Sequence, residues 1–248
     1  MTVSLAIFVA LLALALLSMA VYALLGARRD ADAERRGSQF VLGVGDFLVH
    51  WLMWALRPAE RLALGFGLTP DFFNFTGLAL GALSGALIAF GRLEDAGWAI
   101  ALGGVCDIMD GRIARVRGLS SPYGGFIDST LDRFVEVFAL LGFSFHLRAL
   151  PGGPLAASAA LAGSLLVSYT RARGEALGVV CREGLMQRGE RLVLLFLVCI
   201  FDPVLTRAAA WPAGTIALWV LALIAAGTFA TAVQRTVWIA RRLRAGGR

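Results

Sequence analysis

The sequence predicts an all-α, polytopic membrane protein, and three observations lead to that prediction. Hydrophobic residues make up 58% of the 248 residues, and the mean hydropathy is +0.76. Charged residues make up only 16%, against about 25% in an ordinary soluble domain. Apolar runs recur along the chain, each close to the roughly 20 residues that a helix needs to cross a bilayer. The length leaves no room for a separate large soluble domain.

The first apolar run covers residues 3–25 and is followed by a group of arginines, Arg28, Arg29, Arg35 and Arg36. A signal peptide is the alternative, but the run is long and no positive charge precedes it. We therefore predict an N-terminal transmembrane anchor over residues 1–26, with the arginines as a stop-transfer signal.

Residues 27–69 are predicted to form a cytoplasmic linker and an interfacial amphipathic helix. The stretch 40–67 mixes Trp51 and Trp54 with Arg57 and Arg61, and Pro58 interrupts it. Tryptophan and arginine on one short segment are typical of a helix that lies in the membrane interface instead of crossing it.

Residues 70–248 are predicted to form a six-helix catalytic membrane domain. The six apolar runs cover residues 72–91, 96–115, 124–146, 154–171, 191–205 and 211–240. Gly77, Gly81 and Gly85 lie four residues apart on the first of these, a spacing that permits close helix packing.

The distribution of arginine predicts the orientation in the membrane. All 23 basic residues are arginine, and 19 of them lie in or beside the segments 26–69, 112–117, 171–191 and 235–248. The opposite loops hold only Arg92, Arg148 and Arg207. By the positive-inside rule, the first set of segments is cytoplasmic. We expect a multi-pass protein of the cell membrane whose active site faces the cytoplasm.

The net charge of +6 indicates an anionic partner. In a chain this apolar, membrane lipids and a phosphate-bearing substrate are favoured, and no nucleic acid is expected. Cys106, Cys181 and Cys199 show no CxxC spacing, so neither a disulfide framework nor a zinc site is indicated.

Four aspartates form the most informative pattern in the chain. Asp107 and Asp110 lie three residues apart, and Asp128 and Asp132 lie four apart. Residues at these spacings share one face of a helix. A short loop joins the two predicted helices and makes them antiparallel neighbours. We therefore expect the four carboxylates to converge near the cytoplasmic surface.

Converging carboxylates favour a metal site. Acidic residues within a membrane are rare and usually mark a pathway or a site. Four carboxylates without histidine or cysteine suit Mg²⁺ or Mn²⁺, and a pair of such ions serves phosphoryl chemistry. The alternative is neutralisation by the neighbouring arginines Arg112, Arg115 and Arg133. Glu136, one turn beyond Asp132, is expected either to support the site or to pair with Arg133.

The segment from Asp107 to Asp132 resembles the signature of the CDP-alcohol phosphotransferase family. It matches D-x2-D-G-x2-A-R-x8-G-x3-D-x3-D at all eight fixed positions. The resemblance extends over roughly residues 40–244 and implies the family's fold, an interfacial helix followed by six transmembrane helices, and a homodimer. The anchor over residues 1–26 is an addition to that core.

The resemblance also implies roles for individual residues. Asp132 would share in metal ligation and act as general base, and the other ligands of two Mg²⁺ or Mn²⁺ ions would be Asp107, Asp110 and Asp128. The pocket for the CDP-linked lipid would be lined by Gly111, Ala114, Arg115 and Gly124. The implied reaction moves the phosphatidyl group of CDP-diacylglycerol to the hydroxyl of a small polar alcohol and releases CMP.

One segment departs from the family pattern. Such proteins often carry Pro-Asn-x-x-Thr at the start of the first core helix. Here Asp71 follows Pro70 in place of asparagine, and Asn74 replaces threonine. The segment stays polar, but its nucleotide contacts do not follow from the resemblance.

A group of arginines predicts the acceptor side of the site. These residues border one cytoplasmic opening: Arg171, Arg173, Arg188, Arg191 and Arg235. Arginine suits phosphate, although the positive-inside rule alone would also supply such residues. The run Ser168–Glu175 is similar to Ser-Tyr-x-Lys-Ala-Arg of phosphatidylinositol-phosphate synthases, with Arg171 in place of lysine. By that resemblance the acceptor phosphate would bind Ser168, Arg171, Arg191 and Arg235.

Inositol phosphate is therefore the favoured acceptor, with glycerol 3-phosphate, giving phosphatidylglycerophosphate, as the close alternative. A cation or proton transporter is an alternative of a different class, but it predicts acids spread across the membrane depth. A scaffold without activity would be expected to lose at least one of the four aspartates. Transfer from a CDP-amino alcohol to diacylglycerol is a further alternative, which an anionic acceptor site disfavours.

Overall fold

The structure, a computed structural model, describes residues 3–25, 44–181 and 184–246. Within these ranges every regular element is an α-helix, which confirms the predicted fold class. The predicted stop-transfer arginines, Arg28, Arg29, Arg35 and Arg36, lie outside the described residues, as does the predicted linker as far as residue 43.

Nine helices lie in the described parts of the chain. In order they are α1 (Val3–Leu24), α2 (Val44–Ala55), α3 (Arg57–Gly65), α4 (Pro70–Ala89), α5 (Leu93–Val116), α6 (Pro122–His146), α7 (Gly153–Ala176), α8 (Arg188–Ala208) and α9 (Thr215–Gly246).

Four of these helices, α1, α4, α7 and α9, are long and apolar enough to cross a membrane. The chain is accordingly an integral membrane protein. Three more helices, α5, α6 and α8, have 24, 25 and 21 residues and match the predicted spans in length. They are less apolar because they carry the charged residues of the predicted site.

The predicted interfacial segment consists of two helices instead of one. α2 ends at Ala55 and α3 begins at Arg57, with Pro58 in the first turn of α3. Proline has no amide proton and a fixed φ, so it fits the first turn of a helix and disrupts the middle of one. Pro58 therefore starts a second helix within the predicted stretch.

The chain divides into two compact units, of which the first comprises Met1–Asn74 and Cys106–Gly125. In this unit α3 packs on the second half of α5. Arg112 is buried and donates from Nε to Glu60 at 2.6 Å and from Nη1 to Met53 Sδ at 3.1 Å. An apolar cluster beside this ion pair contains Ala63, Phe73, Met109 and Ile113. The helix that carries the aspartate signature is thus fixed to the interfacial helix.

The second unit comprises Phe75–Val105 and Phe126–Arg248 and holds the larger apolar core. Phe143, Leu195 and Leu221, from α6, α8 and α9, are almost fully buried in it. Asp202 on α8 accepts hydrogen bonds from the amides of Gly214 and Ala217, both at 3.0 Å. A carboxylate at this position satisfies otherwise unpaired amides at the start of α9.

Within the second unit, α4 and α6 pack at very short range. A Cβ added at Gly81 would lie 2.6 Å from Val135 Cγ2, and one added at Gly85 would collide with the backbone of Phe138. Gly142 on α6 in turn meets the backbone of Gly85. The glycine spacing on α4 therefore serves close helix packing, as predicted.

Candidate metal and substrate site

Asp107 and Asp110 lie on the second half of α5, one turn apart. Asp110 is 5% exposed, and its Oδ1 accepts the backbone amide of Gly111. Asp107 is half-buried. A buried carboxylate is costly unless hydrogen bonds or a cation compensate its charge, so both positions favour a bound cation.

The end of α5 holds Arg115 beside the signature glycine. A Cβ added at Gly111 would lie 3.0 Å from Arg115 Nη1, so a side chain there would displace the guanidinium. α5 ends at Val116. Gly118, just beyond it, has a φ of +66°, and the amide of Leu119 donates to Ala114 O at 2.8 Å. This is a Schellman-type end, which glycine permits because it adopts a positive φ without strain.

Asp128 and Asp132 lie on α6, four residues apart and both half-buried. α6 begins at Pro122, and the hydroxyl of Ser121 accepts the amide of Gly124 at 3.1 Å. Serine before the first turn and proline at its first position form a regular helix start. This cap fixes where α6 begins, and hence which face carries the two aspartates.

Two of the predicted metal ligands form a carboxylate pair within the second unit. A carboxylate oxygen of Asp128 lies within 4.8 Å of one of Asp132. An oxygen-only donor set fits a hard divalent cation such as Mg²⁺ or Mn²⁺ and does not fit Zn²⁺ bound by thiolates. These residues therefore fit the implied metal.

Asp132 also has a cationic partner on α8. Arg188 Nη2 lies 2.6 Å from Asp132 Oδ1, and both side chains are mostly buried. Arg133, the next residue on α6, is 4.0 Å from Asp132 Oδ2 and donates to its own helix at Ser129 O. Of these two arginines, Arg188 is therefore the closer to the predicted general base.

One turn further along the same helices lies a second ion pair. Arg191 is 1% exposed and donates from Nε and Nη2 to the two carboxylate oxygens of Glu136, the Nη2 bond being 3.0 Å long. Its Nη1 donates to Met186 O at 3.0 Å. Glu136 thus pairs with Arg191 instead of Arg133, which was the alternative left open by the sequence. Three of the five N–H groups of Arg191 are used in these bonds.

Arg235 on α9 contacts the backbone of α7 at the residue before the predicted acceptor residue Ser168. It is buried, and its Nη1 donates to Val167 O at 3.0 Å. The segment before α8 approaches α9 one turn away, because the amide of Met186 donates to the Thr231 hydroxyl at 3.1 Å. The second unit therefore joins α7, α9 and the segment before α8 in the region of the predicted acceptor residues.

Arg171, the remaining predicted acceptor residue, lies on α7 one turn beyond Ser168. Its side chain is 46% exposed, and its Nε donates to Glu175 on the same helix at 2.9 Å. Arg171 thus lies at the rim, whereas Arg191 and Arg235 are buried.

Two features of the site were missed by the sequence reasoning. Arg188 was named among the arginines but was not assigned to the acidic cluster, and the partner of Glu136 was left open. A signal existed in the spacing: Asp132 and Glu136 are four apart on α6, and Arg188 and Arg191 are three apart on α8. Each pair of residues shares one helix face, so two helices that face each other could form two ion pairs.

The sequence matches a known family over most of these elements. Residues 68–225 match the family described as CDP-alcohol phosphatidyltransferase. This range includes α4 to α8 and the start of α9, and it holds every predicted site residue except Arg235.

Two curated relatives illustrate the match. An archaetidylinositol phosphate synthase of Methanothermobacter thermautotrophicus is 32% identical over 190 residues, covering 75% of this chain and 88% of the relative. A phosphatidylinositol phosphate synthase of Cutibacterium acnes is 36% identical over 201 residues, covering 76% of this chain and 94% of the relative.

Solved structures of the phosphatidylinositol phosphate synthase of Mycobacterium tuberculosis share the fold. One, with CDP-DAG bound, has a TM-score of 0.64 and 27% identity, covering 73% of this chain and 92% of the other. A second, in complex with manganese and citrate, has a TM-score of 0.65 and 26% identity, covering 73% of this chain and 87% of the other.

Proposed function

The chain belongs to the CDP-alcohol phosphatidyltransferase family, and from this premise we propose that it transfers the phosphatidyl group of CDP-diacylglycerol to inositol phosphate, releasing CMP. The chain is a membrane-bound, divalent-metal-dependent transferase of phospholipid biosynthesis. The observation that carries the proposal is the carboxylate pair of Asp128 and Asp132 on α6, which, together with the family match, fits a metal at a phosphoryl-transfer site.

In this proposal the four signature aspartates hold two Mg²⁺ or Mn²⁺ ions. Asp110 joins Asp107, Asp128 and Asp132 as the fourth ligand, since its burial on α5 favours compensation by a cation. Bound divalent metal would supply stabilisation of negative charge on the transferring phosphoryl group. The protein's own contribution is to hold the carboxylates in place through the capped start of α6 and the anchored end of α5.

Asp132 acts as general base in this proposal. The carboxylate takes the proton from the acceptor hydroxyl, whose oxygen then forms a bond to the lipid-side phosphorus as the bond to CMP breaks. Arg188 Nη2 lies 2.6 Å from Asp132 Oδ1 on the facing helix α8. Arg188 then acts as a positioning residue that fixes the orientation of the carboxylate.

CDP-diacylglycerol would bind beside the signature residues Gly111, Ala114, Arg115 and Gly124. Small residues let a nucleotide approach the backbone, and the Arg115 guanidinium beside Gly111 supplies a positive charge for the diphosphate. The similarity to a solved synthase with CDP-DAG bound supports this donor.

Inositol phosphate as acceptor is supported by two lines of evidence. The relatives are named archaetidylinositol phosphate synthase and phosphatidylinositol phosphate synthase. The second unit also holds cationic side chains that suit a phosphate. Arg235 and Ser168 would contact the acceptor phosphate in the interior of the unit. Arg191 would donate to the same phosphate from the N–H groups that Glu136 and Met186 do not use. Arg171, at the rim, would make an outer contact with it.

We further propose that the active site faces the cytoplasm and that the enzyme is a homodimer of the cell membrane. The cytoplasmic orientation rests on the segments that hold 19 of the 23 arginines. The dimer rests on the resemblance to the family.

The test is CMP release by the purified full-length protein with CDP-diacylglycerol and Mg²⁺. Inositol phosphate, glycerol 3-phosphate, inositol and serine are offered in parallel. Asp132→Asn is the inactive variant, and Asp95→Asn, an exposed carboxylate paired with Arg92 at the start of α5, is the matched control.

Release with inositol phosphate alone, lost in Asp132→Asn and kept in Asp95→Asn, is the expected result. Release with glycerol 3-phosphate alone would replace the acceptor and keep the reaction class. No release with any acceptor from folded, metal-binding protein would overturn the phosphatidyl transfer itself and favour a CDP-amino alcohol as donor.

A further inference from the structure

A cavity of about 550 Å³ lies in the first unit, among α1, α2 and α3. Its volume is in the range of sites that hold small organic ligands. All its lining residues precede residue 68, where the family match begins, and none belongs to the proposed metal or substrate sets. The cavity therefore lies outside the matched residues 68–225, between the added helix α1 and the two helices that precede the match.

One face of α1 forms the apolar wall. The residues Leu11, Leu14, Ala15 and Ser18 follow the spacing i, i+3, i+4, i+7, which places them on a single helix stripe. α1 is long and apolar enough to cross a membrane, so this wall lies among lipid chains.

The same stripe of α1 is fixed to α2 at one edge of the cavity. Trp51 Nε1 donates to the Ser18 hydroxyl at 3.0 Å. Tyr22, one turn further and 7% exposed, packs its ring against Phe47 and Trp54, each with centroids 5.6 Å apart. α1 is therefore held against α2 at Ser18 and Tyr22, while the stripe from Leu11 to Ala15 faces the cavity.

Two arginines give the cavity a charged side. Arg57 and Arg61 lie one turn apart on α3 and both line it, together with Trp51 and Trp54. Guanidinium groups bind phosphate with paired N–H donors, and tryptophan is enriched at the level of lipid headgroups. Apolar walls and a pair of arginines match the two chemical parts of a phospholipid.

We propose that this cavity binds one anionic phospholipid of the membrane. Arg57 and Arg61 hold the headgroup phosphate, and an acyl chain lies along the α1 stripe. The occupant is a membrane lipid and not a substrate of the transfer reaction, so the proposal does not depend on the identity of the acceptor.

The experiment uses the full-length protein in nanodiscs that contain phosphatidylglycerol and phosphatidylcholine in equal amounts and with identical acyl chains. Native mass spectrometry counts the lipids retained on the released protein. The variants are Arg57→Gln/Arg61→Gln, the cavity-filling Ala15→Phe, and Arg241→Gln/Arg244→Gln as a control that removes two exposed arginines from α9.

The wild type is expected to retain one phosphatidylglycerol in preference to phosphatidylcholine. Retention should fall about fivefold for each arginine removed from the cavity, the ratio that corresponds to about 1 kcal/mol per arginine near an anionic headgroup. Ala15→Phe should lose the lipid with both arginines intact, and the control should retain it.

Unchanged retention in Arg57→Gln/Arg61→Gln, or an equal loss in the α9 control, would overturn the proposal and leave only general attraction to basic surfaces. If a cavity variant no longer gives the mass of a dimer but retains as much lipid as the wild type, the cavity would instead be the binding site of a second copy of the chain. If the double variant does not fold, Ala15→Phe and the single Arg61→Gln, at an exposed position, decide the question in the same way.

Discussion

At the scale of single residues, Arg188 is the contact on which the geometry of the proposed base depends. We predict that Arg188→Gln lowers kcat for CMP release by about 10- to 100-fold with a smaller change in KM, because a misplaced catalytic group loses its alignment with the reacting atoms. Steady-state kinetics at saturating acceptor measure this, and Arg188→Lys should recover part of the loss.

Arg173→Gln is the matched control, since Arg173 is an exposed arginine near the end of α7 and is not among the four residues proposed to bind the acceptor phosphate. A rise in KM with an unchanged kcat in Arg188→Gln would instead assign Arg188 to the binding of the acceptor phosphate.

The ion pair between Arg191 and Glu136 predicts a large effect on stability. Removing Arg191 leaves Glu136, which is 2% exposed, as an unpaired buried charge, so Arg191→Gln should cost about 3–5 kcal/mol of unfolding free energy. The double variant Glu136→Gln/Arg191→Gln should recover part of this loss, because neither charge then remains. Thermal unfolding in detergent measures the difference.

Arg171→Gln provides the comparison for an exposed pair. Arg171 and Glu175 have side chains 46% and 41% exposed, and such pairs contribute about 0–1 kcal/mol. Equal losses of stability in Arg171→Gln and Arg191→Gln would contradict the role assigned to burial.

The residues of the site were predictable to different degrees. The spacing of the four aspartates places each pair on one helix face, and the proximity of the Asp128 and Asp132 carboxylates on α6 agrees with that expectation. The pairing of Arg188 with Asp132 joins residues 56 positions apart in sequence. Such a contact depends on which face α8 presents to α6, which local spacing does not determine.

At the scale of helices, the contact between α4 and α6 is set by glycine. A Cβ at Gly85 would overlap the backbone of Phe138, which cannot move aside as a flexible side chain could. We predict that Gly85→Ala destabilises the protein by about 1–3 kcal/mol, the usual cost of overpacking a close contact. The melting temperature in detergent is the measurement.

Gly104→Ala serves as the control for this substitution, because a Cβ at Gly104 on α5 meets nothing within 4 Å. Alanine also has the higher helix propensity, so this variant should be neutral or slightly stabilised. A neutral Gly85→Ala would show that the two helices can separate without loss.

The helices themselves were largely predictable because apolar runs of membrane length leave few alternatives. The break at Leu56 was not predicted as a helix boundary, since Pro58 fits both an interrupted helix and the first turn of a new one. The run predicted at 191–205 extends to Arg188–Ala208, because the charged first turn of α8 is held by ion pairs instead of lipid contacts.

At the scale of the whole molecule, the described helices combine an apolar surface for lipid with a charged interior for chemistry. The apolar helices α1, α4, α7 and α9 satisfy the requirement of the bilayer. The aspartates and most of their arginine partners lie on the less apolar helices α5, α6 and α8. Because the charged residues lie mainly on helices other than the four most apolar ones, the chain can keep charges whose exposure to lipid would be costly.

The distribution of arginine predicts how the molecule is oriented in the cell membrane. Ser120, between α5 and α6, and Ala149, between α6 and α7, are both exposed and lie at opposite ends of α6. A helix of 25 residues is about 37 Å long, enough to separate them across the hydrocarbon. By the positive-inside rule, position 120 is cytoplasmic and position 149 is external.

Single cysteines test this orientation in a parent from which Cys106, Cys181 and Cys199 have been replaced by alanine and which still releases CMP. A membrane-impermeant maleimide should label Ser120→Cys only in inverted vesicles and Ala149→Cys only in right-side-out vesicles. The reverse pattern would place the loop between α5 and α6, and with it the signature glycine Gly124, on the external face and would overturn the proposed orientation. The arginine count then decides nothing by itself, because charge bias is a tendency of whole loops, and labelling at two ends of one helix measures the orientation directly.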